Sequence, residues 1–155
     1  MRDINIFFRE KPLKMICLGF SSGLPILLVF STLSVWLVQA GINRSTVTLF
    51  SWAGFAYAFK YLWSPLVDNY KLPFLKKLGH RKSWLLVSQI LVLISLILTA
   101  FTDPQNNLFF TALFITFLAF FSATQDILID AFRIESAPQS LQGPMSSMYI
   151  AGYRI

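Results

Sequence analysis

Four polar residues near the end of one long apolar run, Ser122, Asp126, Asp130 and Arg133, fall at i, i+4, i+8 and i+11. On an α-helix that spacing puts all four on one face. Two carboxylates a turn apart resist joint ionisation unless a cation lies between them. With Arg133 the pair reads as an interfacial salt-bridge set or as a lock on one conformation, not as a midplane ion site. A guanidinium within an apolar run, as at Arg154, stays protonated and needs a carboxylate or an anionic ligand. Asp126 is the expected partner, and Arg154 with Asp126 is the candidate substrate or coupling site. A purely structural Asp126–Arg154 pair is the competing reading. Lys60 lies near the inner end of its own apolar run, where a long side chain can snorkel to the interface, so it reads as an anchor.

Other chemistries have little to work with. Cys17 is the one cysteine and His80 the one histidine, so neither a CxxC pair nor a histidine-rich metal site can be built within the chain. Asp126-x-x-x-Asp130 matches the spacing with which membrane prenyl- and phospho-transferases hold Mg²⁺. Those enzymes need a second carboxylate motif, which this sequence lacks. No metal or other cofactor is expected, and no enzymatic activity.

The elements that carry these residues belong in a membrane. Of 155 residues 55% are hydrophobic, 16% aromatic and only 13% charged, with mean hydropathy +0.62. A water-soluble domain carries about 25% charged residues, and too few are present here to cover a wetted surface. Disordered chains are polar and poor in aromatics, so disorder is excluded as well. Apolar segments run over about 15–38, 46–64, 84–101 and 108–131, with a fifth, incomplete one over 145–155. Spanning hydrocarbon takes about 20 helical residues, and in lipid the backbone must satisfy its own hydrogen bonds. An all-α, polytopic bundle follows, with residues 1–14 as a cytoplasmic N-terminal segment and 15–155 as the bundle. The first run is too long for a secretory h-region and has no A-x-A site, so it reads as an uncleaved helix.

Basic residues fix the expected orientation. Arg2, Arg9, Lys11, Lys14, Lys71, Lys76, Lys77, Arg81, Lys82 and Arg133 fall on one side of alternating spans, against Arg44 alone on the other. This is a positive-inside pattern with the N-terminus in the cytoplasm. Most of the net charge of +6 is therefore topology, not a nucleic-acid footprint. Trp36, Trp63, Tyr70 and Trp84 sit near the expected interfaces.

Gly19 and Gly23 form a GxxxG pair that lets a neighbouring backbone approach closely. Pro25 removes a helical hydrogen bond and predicts a kink about a turn earlier. The same bend would put Ser21 and Ser22 in a polar path. Counted from Leu108 at the outer surface, Asp126 lies about 27 Å down its helix and Asp130 about 33 Å. Together with Arg133 they read as a cytoplasmic-end cluster, a gate that pairs with the connection between the second and third helices.

Two stretches carry a resemblance. Trp63-Ser64-Pro65-Leu66-Val67-Asp68, followed by Gly79-His80-Arg81-Lys82, resembles the helix 2–3 signature of the major facilitator superfamily. Here an Asn69-to-Leu78 segment is inserted and the leading glycine is absent. Ala123-Thr124-Gln125-Asp126, Asp130-Ala131-Phe132-Arg133 and Met148-Tyr149-Ile150-Ala151-Gly152-Tyr153-Arg154-Ile155 look like the AmpG family of anhydromuropeptide permeases, which also includes eukaryotic acetyl-CoA transporters. The resemblance covers the whole chain but only the N-terminal third of such a permease. It implies a proton-coupled secondary transporter that imports small anionic glycopeptides of cell-wall turnover across the bacterial inner membrane. It also implies gating through Asp68, Arg81, Lys82, Asp130 and Arg133. An acetyl-CoA or other anionic-solute transporter of the same family is the alternative. Transport sites lie between the halves of a repeated fold, and five helices do not supply both. The chain is thus expected to be a fragment or truncated product, a non-functional remnant, or a split-gene subunit completed by a second polypeptide.

Overall fold

The computed structural model describes residue 7 and residues 9–70 and 79–155. Lys71, Lys76, Lys77 and Arg2 of the charge pattern, most of residues 1–8 and most of the inserted segment lie outside the described residues. No strand occurs among the described ones.

The first helix, α1, runs over Glu10–Gln39, five residues further toward the N-terminus than the apolar run. Lys11 and Lys14 are exposed on its first turns, and the Lys11 ammonium donates to the Ser136 carbonyl at 2.7 Å. That places a cation at the carbonyl end of another helix, where the dipole favours it. The helix passes regularly through Pro25. Its irregularity comes after the proline, as a π-helical segment at Leu28–Thr32, not a turn before it. The turn before Pro25 is held straight because Gly19 and Gly23 there lie directly against the backbone of another helix. The extra residue of the π segment is instead accommodated where Val29 and Leu33 enter the apolar core.

The second apolar run is not one helix. Residues 44–69, here α2, are a succession of short pieces: Arg44–Leu49, a 3₁₀ segment at Phe50–Gly54, Phe55–Ala58, a second 3₁₀ segment at Lys60–Leu62, and Ser64–Asn69. Pro65, at the start of the last piece, has no N–H to continue the ladder, and the chain leaves helical geometry just before it. Gly54 marks the other break. A Cβ there would meet the ring of Phe30, which packs from the π segment of α1.

Three helices among the described residues are long and apolar enough to cross a membrane: α1, α3 (His80–Ala100) and α4 (Leu108–Ser136). Gly79 opens α3 with φ 84°, a backbone conformation that glycine alone adopts without strain. α4 continues five residues beyond the apolar run. A short link then leads to α5, Gln139–Arg154, which begins well before Met145.

An apolar core of Val29, Leu33, Leu37, Ala53, Val92, Ile115, Leu118 and Ala119 joins α1, α2, α3 and α4. Large apolar side chains such as Trp52, Leu93, Phe101 and Phe109 remain exposed, as a lipid-facing surface requires. α1 and α5 meet through small residues on both sides. A Cβ on Gly19 would meet the Tyr149 carbonyl, one on Gly23 the Tyr153 carbonyl, and one on Gly152 the Ile16 carbonyl. The backbones thus touch where only hydrogen atoms fit, the usual basis of tight helix packing in lipid.

Candidate functional site

The buried polar centre of the molecule is built on α4. Ser122, Thr124, Gln125 and Asp126 are all buried, and α1 and α2 supply hydrogen-bond partners to the last three. Ser22 donates to the Asp126 carboxylate. Gln125 Nε2 donates to Ser21 Oγ at 2.9 Å, with Gln89 of α3 at 3.4 Å from the same oxygen. Ser21 and Ser22 are therefore tied to α4 by hydrogen bonds.

The cation at Asp126 is Lys60, whose Nζ lies 3.6 Å from Oδ2. Asp126 is 8% exposed and Lys60 34%. Lys60 thus faces the protein interior rather than serving as an interfacial anchor. It can do so because the chain breaks helical geometry at Phe59 and re-forms as a 3₁₀ turn over Lys60–Leu62. Trp63 follows in the same stretch. Its Nε1 donates to Thr124 Oγ1 at 3.1 Å, and its ring packs on Phe120 with centroids 4.7 Å apart. Thr124 in turn donates to its own helix at Phe120 O, 2.8 Å away. Thr124→Val, which removes the acceptor for Trp63 and keeps the shape, is expected to lower stability by about 1 kcal/mol. Thermal unfolding in detergent checks this, and in a Trp63→Phe background the cost of Thr124→Val should largely disappear.

Arg154, expected to meet Asp126, does not. It is exposed, and α5 places it about 22 Å from Gln139. Tyr149, Gly152 and Tyr153 form the face of α5 that meets α1, and two residues on from Gly152 the helix has turned about 200°, to its opposite side. Tyr149 and Tyr153 stand there instead, within electrostatic range of Asp126.

Asp126 and Asp130 occupy different environments. Asp130 is half-buried and pairs with Arg133 at 3.2 Å. Arg133 also donates to Ser146 of α5. With α4 ending at Ser136, Asp126 lies about 15 Å from the C-terminal end of its helix, deeper than a helix ending near Ala131 would put it.

The helix 2–3 signature is linked to α4 by a residue that spacing did not single out. Arg81 pairs with Asp68 and, on its other side, with Glu135 at 2.7 Å, Nε also reaching both Glu135 oxygens. The fork of the guanidinium holds two carboxylates from two elements at once. Asp130 and Arg133 do not join this group, and Lys82 is exposed with no partner among the described residues. Glu135 was legible only as the next acid after Arg133. In a double-mutant cycle of Arg81→Gln with Glu135→Gln, a coupling of about 1 kcal/mol is expected, since Glu135 keeps 54% of its side chain exposed while Arg81 keeps 19%.

Apolar helices long enough to cross a membrane, packed around a buried, ion-paired polar centre, define a multi-pass membrane protein with a helical bundle of the major-facilitator type. A family described as acetyl-coenzyme A transporter 1 matches residues 13–142, and the chain belongs to that family. It is 41% identical over 100% of its length to a putative transporter AmpG 4 of Rickettsia conorii, of which it covers 37%. It is 38% identical over 98% of its length to the anhydromuropeptide permease of Escherichia coli K12, covering 30% of that protein. To a putative transporter AmpG 3 of Rickettsia prowazekii it is 44% identical over 78% of its length, covering 29%. The chain thus spans about a third of the length of the curated relatives it matches.

Proposed function

We propose that the protein serves the proton-coupled import of peptidoglycan-derived muropeptides across the bacterial inner membrane, with its N-terminus in the cytoplasm. The observation that carries this reading is the similarity, over nearly all of the chain, to a relative named anhydromuropeptide permease. The buried Asp126–Lys60 pair is chemically suited to proton coupling, because a carboxylate in a membrane interior is costly and is a functional candidate by default. Arg154, exposed and without a partner among the described residues, supplies an acidic substrate with a first contact. Asp68, Arg81 and Glu135 act as the cytoplasmic gate, with Asp130 and Arg133 supporting it through α5. Where further helices are needed to complete the transport bundle, a second polypeptide is a proposed partner.

Cells lacking their own permease and producing this protein should accumulate labelled N-acetylglucosaminyl-anhydromuramic acid. Accumulation should stop when an uncoupler collapses the proton gradient, and Arg154→Ala should abolish it while leaving membrane insertion intact. Uptake that ignores the uncoupler would remove the proton from this reading. A second reading, transport of acetyl-CoA, is favoured by the description of the matched family. Uptake of labelled acetyl-CoA with none of the glycopeptide would establish it instead.

A further inference from the structure

Asp126 is surrounded on every side by groups that can answer a change in its charge. α1 supplies Ser22, α2 supplies Lys60 and Tyr57, α5 supplies Tyr149 and Tyr153, and Asp130 lies a turn along its own helix. Two polar atoms beside it have unspent hydrogen-bonding capacity. Ser122 Oγ, a turn before Asp126 on the same face, and the Tyr57 hydroxyl are both buried and lie beside each other, with no further hydrogen-bond partner among the described residues. Buried hydroxyls in a folded protein almost always find a partner. Even paired with each other, they keep lone pairs beside the lysine and carboxylate that a polar guest could use.

The ion pair itself is uneven. At 3.6 Å, Lys60 Nζ is too far from Oδ2 for a tight charge-assisted hydrogen bond. The lysine keeps about a third of its side chain exposed while the carboxylate is almost wholly covered. A four-carbon stem with a rotatable ammonium can swing away, whereas Asp126, fixed on α4 and held by Ser22, does not follow.

From this we infer that Lys60 is the exchangeable cation of the site: it neutralises Asp126 when the site is empty and passes to the carboxylate of an entering acidic sugar. The step balances in charge. The lysine stays an ammonium, its partner changes from the Asp126 carboxylate to the solute carboxylate, and Asp126 takes one proton from bulk water to become a neutral acid. A carboxylate left in apolar surroundings without its cation neutralises in this way rather than remain charged. The hydroxyls of Ser122 and Tyr57 are placed to hydrogen-bond the guest. One solute carboxylate and one proton therefore enter together, a stoichiometry set by one lysine shared between two acids. The inference rests on the proposed function for the identity of the acid, but its proton step is local to Asp126 and Lys60.

The test has two arms, both on the protein purified in detergent at its native length. Without ligand, infrared spectroscopy of Lys60→Met should show a protonated carboxyl stretch that is missing from the unaltered protein and from Lys60→Met/Asp126→Asn. Its absence from Lys60→Met would overturn the exchange, whatever the substrate. With ligand, N-acetylmuramic acid is the probe and its methyl ester the uncharged control. Calorimetry in two buffers of different ionisation heat should give about one proton taken up per acid bound, and none in Asp126→Asn. Lys60→Gln should weaken the acid by roughly tenfold or more, the scale of one lost charge-assisted hydrogen bond, and leave the ester little changed. Arg154→Ala should weaken the acid while keeping the proton uptake. Acid binding that Lys60→Gln leaves unchanged would overturn the role of Lys60 and spare the muropeptide reading. Binding of neither probe, together with the carboxyl band in Lys60→Met, would overturn the muropeptide reading and the solute half of the exchange with it.

Discussion

Gly152→Leu is expected to eliminate the folded protein, measured as loss of a monodisperse, cooperatively melting species after detergent extraction. Overpacking in a core costs about 1–3 kcal/mol when side chains can shift to make room. Here the obstacle is the Ile16 carbonyl, part of the α1 backbone, and it cannot move without moving α1. Relief requires the two helices to separate along their length, which also exposes Gly19 and Gly23 where they lie against Tyr149 and Tyr153. In lipid that interface is held by close packing, since no hydrophobic driving force operates between helices there. Against a typical total of about 5–15 kcal/mol, loss of the whole contact is decisive. Gly143→Ala is the control. It lies on the same helix with nothing within reach of a Cβ, so only local effects remain. Alanine gains in helix propensity and loses against the ring of the following Pro144, and the net change should stay within about 0.5 kcal/mol. A folded Gly152→Leu protein with an unchanged melting point would mean that α1 and α5 do not pack as described.

What the sequence made legible follows from periodicity, and what it concealed follows from tertiary pairing. The membrane class, the runs that became α1, α3 and α4, and the shared face of Ser122 and Asp126 could be read from apolar length and the 3.6-residue repeat. The GxxxG pair announced a close helix contact but not its partner, because the complementary glycine, Gly152, lies far along the chain. Lys60 was misread for a structural reason. A continuous second helix would have carried it toward the interface, whereas the break at Phe59 turns it inward to Asp126. Arg154 shows the converse. Its depth in an apolar run suggested a partner, but the face of α5 was fixed by the small residues that pack on α1, which turns the arginine outward. Glu135 escaped notice because α4 outlasts its apolar run by several residues, and only that added turn brings the carboxylate to Arg81.

The second large effect is an asymmetry between the two ends of the central ion pair. Removing one partner of a buried pair typically costs about 3–5 kcal/mol, chiefly the penalty of the charge left behind. Lys60 and Asp126 are not equally buried, so the two truncations should differ. In Asp126→Ala the surviving ammonium keeps a wetted side and a flexible stem, and it can turn away from the interior. The Ser22 hydroxyl, buried and already donating, loses its acceptor as well. In Lys60→Ala the survivor is a carboxylate fixed on α4 with one hydrogen-bond donor, Ser22, and a second acid, Asp130, a turn away. That protein must either hold an unpaired charge or bind a proton to remove it. Lys60→Ala should therefore cost about 3 kcal/mol at pH 8, where binding that proton is hardest, and less as the pH falls. Asp126→Ala should cost about 1–2 kcal/mol with little dependence on pH. The sign follows from proton counting. If the folded Lys60→Ala protein binds a proton at Asp126 that the unfolded chain lacks, acid favours the folded state. Lys60→Met/Asp126→Leu, which removes both charges and restores apolar volume, should recover most of the loss, as replacing buried pairs with packed apolar groups often does. Melting curves of the four proteins between pH 6 and pH 8 decide the matter. Equal, pH-independent losses for the two single variants would show that Lys60 and Asp126 are each stabilised by other groups and that their pairing carries no weight of its own.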